Sequence, residues 1–158
     1  MYSWILGLHS LLRWGLLFAL LFNLIRMNVE SKEQFVEKDR KWSIVIYIFA
    51  IMNLIAAVYL YFFGSNGIEI IDDQKYTMQD VMHTGWLRYW IIEHPLMMLT
   101  ALLLIIISHR VSRREIEITK KTKAMRTLYV VALVIIIVAA PWPFRGEGIA
   151  RPAFRALY

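Results

Sequence analysis

Apolar residues along this chain fall into four long blocks divided by short polar stretches. The blocks run from about Trp4 to Met27, Ser43 to Gly64, Trp86 to Ser108 and Ala124 to about Phe144, with Pro141 and Pro143 marking the end of the last. A bilayer's hydrocarbon core takes about 20 apolar residues in helical form, so each block is read as one membrane-spanning helix. Lipid offers backbone N–H and C=O groups no partner, and a helix satisfies them within itself. The alternating segments of roughly ten residues that a membrane barrel needs are absent. The expected fold is all-α: one integral membrane domain over residues 1–158, built as a four-transmembrane-helix bundle, with 145–158 as a C-terminal tail. The first block is read as a span and not a cleaved leader, because no basic stretch precedes it and no small-residue cleavage site follows it.

Charge sets the expected orientation. Residues 28–42 carry Lys32, Lys38, Arg40 and Lys41, and residues 109–126 carry Arg110, Arg113, Arg114, Lys120, Lys121, Lys123 and Arg126. Residues 64–85 carry Lys75 against Glu69, Asp72, Asp73 and Asp80. Lys and Arg favour the cytoplasmic side, which puts the N-terminus and the C-terminus both on the outer (periplasmic) side. Arg145, Arg151 and Arg155 in the tail pull weakly the other way.

Composition narrows the chemistry. The chain is 59% apolar, against about 45–50% in a soluble domain. It has no cysteine, which excludes disulfides, thiolate catalysis and Cys-held iron–sulfur or zinc centres. The net charge of +6 lies in the short inter-block segments, where topology and lipid headgroups account for it, so no nucleic-acid partner is expected. The partner that the pattern requires is the lipid bilayer. Most of Trp4, Trp14, Trp42, Trp86, Trp90 and Trp142 stand near block ends, as an interfacial aromatic belt does. No nucleotide-binding glycine pattern, HExxH zinc motif or serine triad is present.

Ionisable groups inside a membrane are costly and usually face the bundle interior. Here they are His9 and Arg13 in the first block and Glu93 and His94 in the third. At 1.5 Å per residue His9 lies ~8 Å and His94 ~12 Å below the outer surface. Both blocks start on that side, so the two imidazoles can share one layer. Two imidazoles on facing helices are a usual way for a bundle to hold a b-type haem, each giving a nitrogen lone pair to an axial iron position. Arg13, four residues after His9, shares its helical face and can neutralise a haem propionate or pair with Glu93. Glu93 can instead orient an imidazole or relay protons. The bland reading keeps the same residues as buried hydrogen-bonding groups, with Arg13 and Glu93 as an ion pair that sets helix register. His83 is expected in the outer loop and His109 at the cytoplasmic end of the third block. Pro95 removes one helical bond and leaves the Ile91 carbonyl without its usual donor, which predicts a kink beside Glu93 and His94. Met97 and Met98 follow on nearby faces, and Asn23 and Asn53 are explained by interhelical hydrogen bonds.

Three segments carry a family likeness: Leu8-His9-Ser10-Leu11-Leu12-Arg13-Trp14, Arg88-Tyr89-Trp90-Ile91-Ile92-Glu93-His94-Pro95-Leu96-Met97-Met98, and Pro141-Trp142-Pro143-Phe144. They resemble a group of small bacterial four-helix membrane proteins labelled cytochrome b-like. The likeness covers roughly residues 4–144 and is most specific in the third block. It implies a multi-pass protein of the bacterial inner membrane with His9 and His94 at the family's histidine positions. Members often carry a further histidine in the second helix, where Ile51 to Asn53 stand here. The expected function is a membrane haem b protein with an electron-transfer role near the outer face, exchanging with a quinone or a larger membrane complex. One haem would lie between helices 1 and 3, with His9 and His94 as metal ligands and Arg13 and Glu93 beside the cofactor. The alternative is a non-catalytic membrane subunit or assembly factor of a larger complex, without haem. A third reading is a small carrier with Arg13 and Glu93 as a gated pair.

Overall fold

A computed structural model describes residues 2–29, 32–72 and 76–152. Asp73 and Lys75 of the second connection, and Arg155 with the rest of 153–158, lie outside the described residues. The element order is α1 (Tyr2–Val29), α2 (Lys32–Phe63), the short α3 (Glu69–Asp72) and α4 (Met78–His83), α5 (Gly85–Arg88), a π-helical turn (Tyr89–Glu93), α6 (His94–Ser112) and α7 (Ile118–Ala139). No strand occurs among the described residues. Four helices are long and apolar enough to cross a membrane: Tyr2–Val29, Arg40–Phe63, Gly85–Ser112 and Ile118–Ala139. The third of these is α5, the π turn and α6 in one continuous run.

The spans pack as a ring in which α1 meets α2, α2 meets α6, α6 meets α7 and α7 returns to α1. The first and third spans therefore stand diagonally. Contacts at the helix ends show that direction alternates. At one end, the start of α1 meets the end of α2 (Tyr2 to Ser65, 3.1 Å) and the third span's π turn meets the end of α7 (Tyr89 to Ala139, 2.6 Å). At the other end, Ser43 Oγ and His109 Nδ1 lie 2.9 Å apart, and Arg126 donates to the Met27 carbonyl at 3.0 Å. That last bond fills one of the carbonyls a helix leaves unpaired in its final turn.

The core runs along the ring's axis, through Leu16, Leu20, Ile46, Ala50, Ala101, Ile105, Met125, Tyr129, Ala132 and Ile136. Large apolar side chains also cover the outside: Phe18 is 72% exposed, Ile55 66%, Leu103 58% and Val134 54%. A water-soluble bundle would set polar residues on that face; lipid-facing helices need none. Because lipid is as apolar as leucine, helix association leans on close packing. Gly15 shows this, since a Cβ there would lie 2.6 Å from Phe49 Cε1, so α1 and α2 approach through a missing side chain.

Between α2 and the third span, α4 is started by a reciprocal cap. The Thr77 hydroxyl accepts from the Asp80 backbone N–H at 3.2 Å, and the Asp80 carboxylate accepts from Thr77's backbone N–H at 2.7 Å. Val81, Leu87 and Ile91 form a small separate core there, with Ile70, Ile71 and Trp86 packed against it.

Helix limits depart from the hydropathy blocks where proline intervenes. The apolar block reaches Phe144, whereas α7 stops at Ala139. Pro141 disfavours helical geometry in the residue before it, and Ala140 is extended, with φ −70° and ψ 140°.

Candidate functional site

Each span presents one stripe to a common space. On α1 the stripe is Tyr2, Leu6, His9, Arg13 and Leu16; on α2 it is Ala50, Asn53, Ala57 and Tyr61; on the third span it is Trp90, His94, Met98, Ala101 and Ile105. These spacings of three and four keep the residues on one helical face. Together with Ile136, Ala140, Pro141, Arg151 and Pro152 they line a cavity of about 460 Å³, within the range of about 300–1,000 Å³ that cofactor sites occupy. His9, Arg13 and His94 all line it. Asn53 lines the same space.

Prolines in the chain explain how His94 is held. In a continuing helix the Ala139 carbonyl would accept from the N–H of residue 143, and the Ile137 carbonyl from that of residue 141. Both positions are proline, which has no N–H. The Ile137 carbonyl instead accepts from Trp142 Nε1 at 2.7 Å. The Ala139 carbonyl takes two donors from the third span: the Tyr89 hydroxyl at 2.6 Å and His94 Nδ1 at 2.8 Å. A carbonyl only accepts, so Nδ1 carries the hydrogen and Nε2 keeps the lone pair. That is the tautomer a metal-ligating histidine adopts when a backbone carbonyl orients it. His9 differs, since its Nδ1 is buried without a hydrogen-bond partner among the described residues.

Pro95 acts the same way one turn earlier. The Ile91 carbonyl loses its normal donor and faces the Tyr61 hydroxyl at 3.4 Å. The backbone does not break there but widens, with the His94 N–H returning to the Tyr89 carbonyl, five residues back. π turns of this kind are often found at functional sites. Here the turn keeps Trp90 and His94 on the cavity stripe while Tyr89 reaches α7.

Glu93 stands apart from this cavity. Its carboxylate accepts from Arg88 Nε at 2.7 Å, with both side chains about two-fifths exposed (43% and 42%). Arg13 Nη2 lies 3.4 Å from Ser10 Oγ on its own helix. His83 is exposed on α4. His109 belongs to the opposite end of the bundle, bonded to Ser43 and stacked on Tyr47 at 4.8 Å. Met98 lines the cavity and Met97 does not. No group of three or more His, Cys, Asp or Glu poised to hold a metal occurs among the described residues.

Sequence reasoning passed over the segment after α7. Arg151 N–H donates to the Pro141 carbonyl at 3.1 Å, folding the segment back on itself. Trp90 Nε1 donates to the Gly148 carbonyl at 2.9 Å, tying it to the third span. Gly148 takes a left-handed φ of 80°, and a Cβ there would come within 2.9 Å of Trp86. The Pro141-Trp142-Pro143 signal marked a helix end but gave no sign of this return. No family model, curated protein or solved structure matches the chain.

Proposed function

We propose that this chain is a haem b-binding membrane protein with an electron-transfer role, in which His9 and His94 would hold the haem. The observation that carries this reading is that two diagonal spans bring these histidines to one apolar-walled cavity. One of them is already fixed as a lone-pair donor by the Ala139 carbonyl, and the other has a buried ring nitrogen unpartnered among the described residues. The residues fit such a group: the volume suits a large flat cofactor, and Arg13 and Arg151 line the same space. When bound, the haem supplies one-electron chemistry. The chain's own residues hold and orient it. His94 is positioned by Ala139 and by the π turn; Leu16, Leu102, Ile105 and Ile136 keep water from the inner wall; and Arg13 offers positive charge four residues from His9. Glu93, salt-bridged to Arg88, anchors the π turn on which His94 sits.

The basic connections on the far side of the bundle support placing the cavity end on the periplasmic face of a bacterial inner membrane. A quinone or a larger membrane complex would then be the electron partner on that face. Because the chain has no cysteine, a Ser65→Cys variant labelled by an impermeant maleimide from outside would report this orientation directly.

Spectroscopy of protein purified from haem-replete cells tests the proposal. A reduced-minus-oxidised α-band and a positive pyridine haemochrome are expected, and His9→Ala or His94→Ala should abolish both while helicity stays unchanged. A colourless wild-type preparation would refute it. Colourless protein recovered with one stoichiometric partner would favour the alternative, a non-catalytic subunit or assembly factor.

A further inference from the structure

Among the described residues, the Lys, Arg, Asp and Glu side chains on the cavity wall are Arg13 and Arg151 alone. A guanidinium at the edge of apolar walls suits an occupant that brings a negative charge of its own, since charge-assisted hydrogen bonds are the strong ones. Arg151 is prepared for such a partner. Both of its side-chain hydrogen bonds, to the Gly148 and Ala150 carbonyls at 3.2 and 2.8 Å, use Nη1, and its guanidinium lies 5.0 Å over the Trp90 ring. The planar fork is thereby held in place with Nε and Nη2 left over, the two-nitrogen edge that matches a carboxylate. The rest of the space suits a large apolar body. Val58, Phe62 and Leu99 line the cavity and are also substantially exposed, so its wall runs out to the lipid-facing surface between α2 and α6.

We infer that the cavity recognises its occupant by carboxylate groups on a large apolar body, with Arg151 and Arg13 as the two cationic holds. The identity of that occupant rests on the haem reading above, haem b carrying two propionates. Residues 140–152 thus contribute to the binding site.

Titration of detergent-solubilised apoprotein with ferric haem and with its dimethyl ester, which lacks free carboxylates, tests this. The wild type should bind the free acid about ten- to a hundred-fold tighter, the range expected for hydrogen bonds to a charged group. Arg151→Gln should lose most of that preference while its affinity for the ester stays unchanged, and Arg151→Lys should recover part of it. Arg145→Gln removes the same charge from the same segment but off the cavity wall, and should keep the preference. Equal affinity of the wild type for acid and ester would overturn the inference and leave the haem reading standing. Conversely, if neither porphyrin binds but a fluorescent long-chain fatty acid binds in an Arg151-dependent way, the haem reading falls and carboxylate recognition stands. Failure to bind any of the three probes would end both.

Discussion

The Ala139 carbonyl makes an energetic claim that can be measured without any cofactor. It accepts two hydrogen bonds, from Tyr89 and His94, and its helical donor is replaced by Pro143. Tyr89→Phe removes one bond and leaves the acceptor satisfied by the other. Interhelical hydrogen bonds in membranes contribute about 0.6 kcal/mol on average, so the single change should cost about that much. His94→Phe should do the same by this route, apart from any repacking. Removing both is different in kind. A buried carbonyl left with no donor carries a penalty of about 1–3 kcal/mol, so the double variant should lose about 1 kcal/mol or more beyond the sum of the singles. Equilibrium unfolding of the apoprotein in mixed micelles, followed by circular dichroism, yields the four stabilities of the cycle. Additivity within the error expected for independent sites, about 0.3–0.5 kcal/mol, would refute the shared-acceptor account. A double variant less harmful than the sum would refute it more strongly, since it would mean that the two donors compete.

Two other outcomes follow from the same geometry. Gly148→Ala places a side chain at a φ of 80° and within 2.9 Å of Trp86, so it should cost at least the ~1–2 kcal/mol of left-handed strain and make residues 146–152 cleavable by limited proteolysis faster than in the wild type. On α4, hydrogen bonds from the Thr77 hydroxyl and backbone N–H hold the Asp80 carboxyl below its ordinary pKa of 3.8. A depressed carboxylate contributes stability that is present above the ordinary pKa and lost as pH falls through the folded one. Amide-exchange protection of residues 78–83, relative to the intrinsic rate at each pH, should therefore fall below about pH 4, and Asp80→Asn should abolish that dependence.

Hydropathy blocks marked the four spans well, because lipid demands long apolar runs whatever their partners are. The interruptions were also legible: Pro95 named the Ile91 carbonyl as an orphan, and Pro141 named a helix end. What could not be read was who answers them. Nothing in the sequence marks the hydroxyls of Tyr61 and Tyr89 as donors, and only the ring order of the helices brings them to those carbonyls. Shared depth in the membrane pointed from Arg13 to Glu93, yet Arg88, five residues from Glu93, is the ion-pair partner found for that carboxylate, a pairing the wide turn between them permits. Arg151 gave no signal at all, since its role depends on a chain reversal built from a left-handed glycine and one indole hydrogen bond.

The wide turn at Tyr89–Glu93 has a consequence for how this span tolerates change in length. Hydropathy is blind to phase: deleting one residue within 89–93 would leave a segment still greasy enough to insert. An α-helix advances about 100° per residue, and a turn that closes five residues back holds one residue more than a turn that closes four back. Tightening it after such a loss would therefore leave Leu87 beside Val81 and Ile91, and His94 on its wall. A substitution that tightened the turn at unchanged length would instead swing everything before it around the axis and uncouple the two halves of the span.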